Sequence, residues 1–274
     1  MSYCIKITAI VLLAITLQKV HGQTTADEAV FADNYGKVMA FEKQPYLHYT
    51  TVTTMNSIPV LEPKDTATMT GEFFKCLDEF YSNNGLEEIY VQDSFLVRVN
   101  HERKSIWISK VEKGGEKTVP LLPVSASNIV ATLLKNYTIT QTSLNDTIVR
   151  IDLIARQNSI DKAAKTSIGL EYIGKSFLLS TMQITAKVRE AEDQEILDEL
   201  EKNHIDSRQL IEVKDGKRFL VRTQQLRVAF NNIIYADAVA RKMPSWKTVL
   251  DYDAANNQFI AKAAYTEYEV TPTF

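Results

Sequence analysis

The residues best suited to chemistry are few and dispersed. Past the first 22 residues there are three histidines, His48, His101 and His204. None has a second histidine one helical turn away, the spacing that places two ligands on a catalytic zinc. His101 stands beside Glu102 in a predicted turn and reads as a surface residue. No Gly-x-Ser-x-Gly run sets a serine on a strained strand-to-helix turn. The nine glycines are spread thinly and form no phosphate-cradling loop. Asp251-x-Asp253-x-x-Asn256 opens like a calcium loop, but its sixth position is Asn256 instead of glycine. Its twelfth position is Lys262, which opposes a cation, so a hairpin turn is expected there. The adjacent pairs Asp78/Glu79 and Glu87/Glu88 face opposite sides of a strand, where they cannot share a proton or flank a substrate. Cys76 is the one cysteine beyond the leader; it can form no intramolecular disulfide and reads as a buried strand residue. No catalytic residue, metal site or cofactor is expected, and the chain reads as a non-enzyme.

What the chain does supply is alternation. Phe95, Val97 and Val99 point one way against Leu96, Arg98 and Asn100. Val149, Ile151 and Leu153 alternate with Arg150, Asp152 and Ile154. Leu178, Met182, Ile184, Ala186 and Val188 are expected to share one face of a long strand. Turn signals separate the strands at Asn83-Asn84-Gly85, Gln92-Asp93, His101–Lys104, Gly174-Lys175 and Lys214-Asp215-Gly216-Lys217. Helical spacing marks residues 24–44 (Ala29, Tyr35, Val38, Phe41), stopped by Pro45. A short helix capped by Ser127 carries Ile129, Val130, Leu133 and Leu134, and an acidic helix falls in 190–206 around Ile196, Leu197 and Leu200. Gly114-Gly115 and the pair Pro120/Pro123 open the connection before Ser127. The sum is roughly eleven strands and three helices, with several strands between helices, which excludes βαβ alternation. The expected fold class is mainly β with a few helices (α+β), a large antiparallel curved sheet.

The first 22 residues explain where such a protein works. Lys6 precedes the apolar run Ile7–Leu17, and Val20-His21-Gly22 offers small residues before a cut, the plan of a secretory signal peptide. This eleven-residue run spans roughly 16 Å as a helix, too short for a bilayer. The expectation is therefore an exported chain, periplasmic or secreted, soluble after cleavage near Gly22. Removing Lys6 and Lys19 with the leader leaves 29 basic against 34 acidic residues, a net of about −5. That field disfavours nucleic acid and anionic lipid headgroups. Asn136-Tyr137-Thr138 and Asn145-Asp146-Thr147 are sequons that a eukaryotic secretory route would glycosylate. Residues 23–274 read as a single domain, with the acidic segment 190–206 as the one candidate boundary.

Residues 71–111 carry a family resemblance. Gly71-Glu72-Phe73-Phe74, Glu88-Ile89-Tyr90-Val91-Gln92-Asp93, Phe95-Leu96-Val97-Arg98-Val99 and Ser105-Ile106-Trp107-Ile108-Ser109 succeed one another across short charged turns. This order resembles the periplasmic lipoprotein-carrier (LolA-like) half-barrel over about residues 28–190. The ending Tyr265–Val270 looks like the terminal strands of exported Bacteroidetes-type proteins of unknown role. The resemblance implies a half-barrel with helices over its concave face and a gap beneath them that accepts acyl chains. Each buried methylene there is worth about 0.8 kcal/mol. Residues expected to line it are Val97, Val99, Val149, Ile151, Leu153, Met182 and Ile184; the same residues also suit an ordinary core. The function expected is binding of lipid or another apolar ligand in the cell envelope. The alternative is a structural or interaction module with a closed core, docking an envelope partner through 190–206 or its sheet edges.

Overall fold

The computed structural model describes residues 26–111, 129–156, 167–253, 255–256 and 258–273. The leader, Ser127 and the Gly114-Gly115 to Pro123 connection lie outside these residues. The elements in order are helix α1 (Ala26–Val38), a tight 3-10 turn (Met39–Lys43), strands β1 (Tyr46–Ile58), β2 (Thr66–Cys76), β3 (Glu79–Asn83), β4 (Glu87–Gln92), β5 (Phe95–Asn100) and β6 (Ser105–Lys110). Helix α2 (Ile129–Asn136) precedes β7 (Tyr137–Ser143), β8 (Ile148–Ala155), β9 (Ser167–Ile173) and β10 (Leu178–Ala191). Helix α3 (Gln194–Lys202), β11 (Ile211–Lys214), β12 (Lys217–Ile234), β13 (Leu250–Asp253), β14 (Gln258–Ala261) and β15 (Glu269–Pro272) complete the chain. Thirteen of the described strands belong to one sheet, and β13 with β14 forms a separate hairpin. The fold class is mainly β with a few helices, and the sheet is mostly antiparallel: β15 adds to β6 in parallel, whereas β3 to β6 and β7 to β10 pair antiparallel with their neighbours.

Several boundaries differ from the pattern reading for local reasons. The first helix stops at Val38 and tightens into 3-10 geometry before Pro45, which cannot continue it. The stretch 67–81 reads in the sequence as a strand broken near Lys75–Glu79, and it is two strands turning at Leu77, whose φ is 57°. Asp215 and Gly216 both take positive φ (52° and 73°), the mirror-image turn that matches strand twist. Strand β7 (YTITQTS) lacks apolar alternation and escapes notice in the sequence; its pairing with β8 holds it.

The residues cluster into two compact units. The first holds the described residues within Met1–Met39, Thr53–Thr68 and Leu122–Ala229. Its registers align Ile151, Leu170, Met182 and Val228 in one row, and Leu153, Ile168, Ile184 and Leu226 in the next. Residues directly opposite in a ladder share a face, so these rows form a single apolar layer. A bulge at Ser180 shifts the register between Leu179 and Thr181. Leu179 thereby joins the Met182 face in place of Leu178, a correction to the expected strand face. The other face carries Arg150, paired with Asp152 (2.8 Å) and Glu171 (3.0 Å). Gly169 leaves room for this guanidinium: a Cβ there would sit 2.8 Å from Arg150 Nη2 and push it aside.

The second unit holds the described residues within Ala40–Val52, Met69–Leu121 and Phe230–Phe274. Phe74, Tyr81, Tyr90, Val97 and Ile108 line up across β2 to β6, beside the row Glu88, Val99 and Ile106. The C-terminal residues Val239, Trp246, Val249, Leu250 and Phe259 join these in one buried cluster. The opposite face carries an aromatic ladder in which Tyr49 stacks on Phe73 at 5.1 Å and meets Phe230 at 5.5 Å.

Candidate functional site

In the first unit, Ile151 and Leu153 are wholly buried, Met182 and Ile184 nearly so, and Val149 half-buried opposite Tyr172. Two side-chain contacts tie helix α1 to the face of this layer. Gln141 lies opposite Ile151 and therefore on the same face, and Asn34 Nδ2 of α1 donates to Gln141 Oε1 at 3.1 Å. At the other edge Lys37 Nζ stands 5.1 Å from the ring centre of Phe177, which stacks on Tyr172 at 5.6 Å. Phe31, Tyr35 and Val38 are buried at the i, i+4, i+7 spacing of one helix face. Helix α2 packs on α1 and β7 and buries Leu133. Five of the seven residues expected to line a gap thus share one layer with a helical roof.

Along the same face, Ala186, Val188 and Glu190 continue β10 opposite Gln224, Arg222 and Leu220. There the layer ends in buried charge. Arg222 Nη2 meets Asp65 Oδ2 at 2.5 Å and donates to Pro59 O at 3.0 Å. Asp65 Oδ2 also accepts from the backbone of Leu61 (2.7 Å) and Glu62 (3.0 Å). Glu190 Oε2 lies 3.6 Å from Arg222 Nη1. Among the described residues Glu190 Oε1 and Arg222 Nε have no hydrogen-bond partner. Two carboxylates against one guanidinium leave an excess negative charge, which opposes an anionic headgroup at this end.

Val97 and Val99 lie in the second unit, wholly buried in the cluster with Trp246, Val249 and Leu250. The structure therefore does not gather the seven residues into one layer. Beside them, Glu88 is buried and forms a relay. Its carboxylate accepts from Tyr90 and, at 3.4 Å, from Tyr81. His101 bridges Glu88 Oε1 (Nε2, 2.8 Å) and Tyr268 Oη (Nδ1, 2.9 Å). The expectation of a surface histidine fails because the β5–β6 turn folds His101 toward this carboxylate. Burial, with Glu88 and Glu72 adding to it, pushes the Tyr81 phenol up to about 12, against the bond from Asn83. Tyr90 is raised further by burial and by its bond to Glu88. Glu87 faces the other way and pairs with Arg98 at 3.1 Å, so the two adjacent carboxylates are separated by the pleat.

A surface pocket of about 440 Å³ also belongs to this unit, lined by Asp93, Phe95, Trp246, Lys247, Leu250, Asp251, Tyr252 and Lys262. Gln92 fixes its floor, donating to Pro244 O (2.7 Å) and accepting from Trp246 N (3.2 Å). Phe95 meets Trp246 at 5.8 Å and Tyr252 at 5.7 Å. Two ion pairs stand at the rim, Asp93 with Lys247 (2.7 Å) and Asp251 with Lys262 (3.2 Å). Sequence reasoning missed this site because its residues come from one β-turn and from a distant C-terminal segment without periodic pattern. Asp253 keeps the hairpin role expected of it: the Asn256 side chain and two backbone amides bond its carboxylate and hold it below the usual range.

The acidic segment is partly internal. Glu190 is half-buried with its Oε1 enclosed, Glu192 pairs with Arg218 at 2.8 Å, and Asp193 caps α3. Asp193, Glu195, Asp198 and Glu201 are exposed. Cys76 ends β2 half-buried instead of buried, its thiol pushed up by desolvation and by Glu79. Among the described residues no helix is long and apolar enough to cross a membrane.

No protein-family model and no curated protein matches the chain. Among solved structures it is similar to a LolA superfamily protein from Nitrosomonas europaea, at 8% identity over 78% of this chain and 97% of that one, TM-score 0.28. It is similar to a DUF1329 family protein from Desulfovibrio piger, at 9% identity over 83% and 98%, TM-score 0.28. It is also similar to a chain in the MucA/MucB complex of Pseudomonas aeruginosa, at 11% identity over 87% and 65%, TM-score 0.36. These likenesses are remote, and the reading that follows rests on the chain's own registers and contacts.

Proposed function

We propose that the chain is an exported, non-enzymatic binding protein for a lipid or other apolar ligand, held between α1 and the layer of Val149, Ile151, Leu153, Met182 and Ile184. One observation supports this most: α1, with Phe31, Tyr35 and Val38 buried along one face, is tied to the face of the two apolar rows by the Asn34–Gln141 bond and the Lys37–Phe177 contact. A helix that shields an apolar face mainly with Phe31, Tyr35 and Val38 can be replaced there by a chain of methylenes, at about 0.8 kcal/mol each. The buried excess negative charge at Arg222, Asp65 and Glu190 favours a neutral chain over a free carboxylate. The signal-like pattern of residues 1–22 supports work in the cell envelope. Native mass spectrometry of the protein expressed with its leader tests the proposal. A co-purified lipid lost on substitution of Ile151 or Met182 by Asp supports it; a bare protein that also fails to take up neutral lipid from vesicles overturns it.

The exposed acids of α3 favour a second reading, a docking surface for a basic envelope partner. Deleting 190–206 would also remove Glu190 from Arg222, so the cleaner test neutralises Asp193, Glu195, Asp198 and Glu201 together. Retention of every co-purified partner by that variant rules the surface out.

A further inference from the structure

We infer that the pocket of the second unit is a binding site for a neutral saccharide, independent of the apolar layer beneath α1. Its floor and wall are aromatic: Phe95 packs with Trp246 and with Tyr252, which is 37% exposed. Tyr252 also meets Phe259 at 4.7 Å, so its ring is held in place before any ligand arrives. Such faces select a ligand with an apolar C–H face, and their rigidity lowers the entropy lost on binding. The rim selects the rest of the ligand. Asp93 with Lys247 and Asp251 with Lys262 each present an acceptor and a donor side by side, with no net charge. An anion would compete with Asp93 or Asp251 for its lysine, and a cation would compete with a lysine for its carboxylate. A hydroxyl donates to the carboxylate and accepts from the ammonium at once, leaving both pairs intact. A ring with hydroxyls at its edge and C–H bonds on its face is a sugar. The volume of about 440 Å³ falls in the range of small-ligand sites, roughly 300–1,000 Å³. Lys247 Nζ sits 5.5 Å from the Trp246 ring centre and couples the rim to the floor.

The chain has two tryptophans, so Trp107→Phe leaves Trp246 as the sole indole reporter. In that background the emission is titrated with free glucose and N-acetylglucosamine, and with cellotriose, chitotriose and maltotriose. Phosphate and decanoate serve as charged and apolar controls. The expected result is a saturable shift with at least one saccharide, the single sugars and trisaccharides distinguishing a free sugar from a glycan chain. Tyr252→Ala should weaken that binding about 2- to 13-fold, the loss of one aromatic contact of about 0.5–1.5 kcal/mol. The same titration followed by amide NMR covers a silent indole. No response to any saccharide by either readout, a response to phosphate or decanoate instead, or a response unchanged by Tyr252→Ala overturns the inference. None of these outcomes touches the lipid proposal, which concerns the other unit.

Discussion

The two units bury an apolar sheet face in different ways. In the first, a single helix is tied to the face of Ile151, Leu170 and Met182 by an exposed amide–amide bond and a cation–π contact. In the second, the C-terminal segment is clamped by both ends of the buried Gln92 amide and knitted by contacts among Phe95, Trp246, Tyr252 and Phe259. A cover held mainly by apolar contact can be exchanged for another apolar body. A cover held by buried hydrogen bonds cannot leave without stranding polar groups. Under the proposed function, exchange belongs to the first unit and permanence to the second.

Substitutions can break or sharpen this contrast. The largest effect is expected at Arg222→Ala, which strands Asp65 and Glu190 in the interior. The loss should be about 3–5 kcal/mol, read from urea denaturation, with much of it recovered when Asp65→Asn and Glu190→Gln are added. Leu153→Ala should cost about 2–5 kcal/mol by the same measurement. It should also alter uptake of a neutral apolar probe, whereas Val97→Ala in the second unit should lower stability and leave uptake unchanged. If Val97→Ala abolishes uptake at unchanged fold, the assignment of the ligand to the first unit is wrong. Gln92→Ala should cost about 1–3 kcal/mol by leaving Pro244 O and Trp246 N unpaired, and amide exchange should rise at Trp246 before it rises at Met182.

The smallest effect is alkaline. The Tyr81 phenol is raised from 10.0 to about 12 in the folded chain, so the fold holds this proton more tightly than the unfolded chain does. Its contribution is complete below about pH 10 and is lost as pH rises toward about 12. Tyr81→Phe should flatten the fall in denaturation midpoint over that window, and a slope unchanged from wild type would contradict the assignment. Phenolate absorbance on titration provides the matching direct readout.

Much of the strand order was legible because period-2 alternation and turn residues act locally. Phe95–Asn100 and Ile148–Ala155 lie where their patterns place them. The errors fall where a distant partner or one extra residue decides. Ser180 bulges out and carries Leu179 to the face expected of Leu178, a shift that alternation alone cannot report. Glu190 sits in an acidic run that reads as solvated, yet it is the end of β10 and meets Arg222 on the neighbouring strand. His101 looked like a turn residue until Glu88 and Tyr268 came to it. The seven candidate residues were chosen for facing inward, and inwardness does not say which interior. Val97 and Val99 answer to the C-terminal segment, the other five to α1's unit.

The most direct test locks the roof of the first unit. Asn34→Cys and Gln141→Cys, in a Cys76→Ser background, are joined by a short bismaleimide. Binding of the neutral probe N-phenyl-1-naphthylamine is then measured by fluorescence before and after crosslinking. Strong binding before and loss after is the predicted result. Equal binding in both states, or none in either, would contradict the exchange of α1 for an apolar ligand.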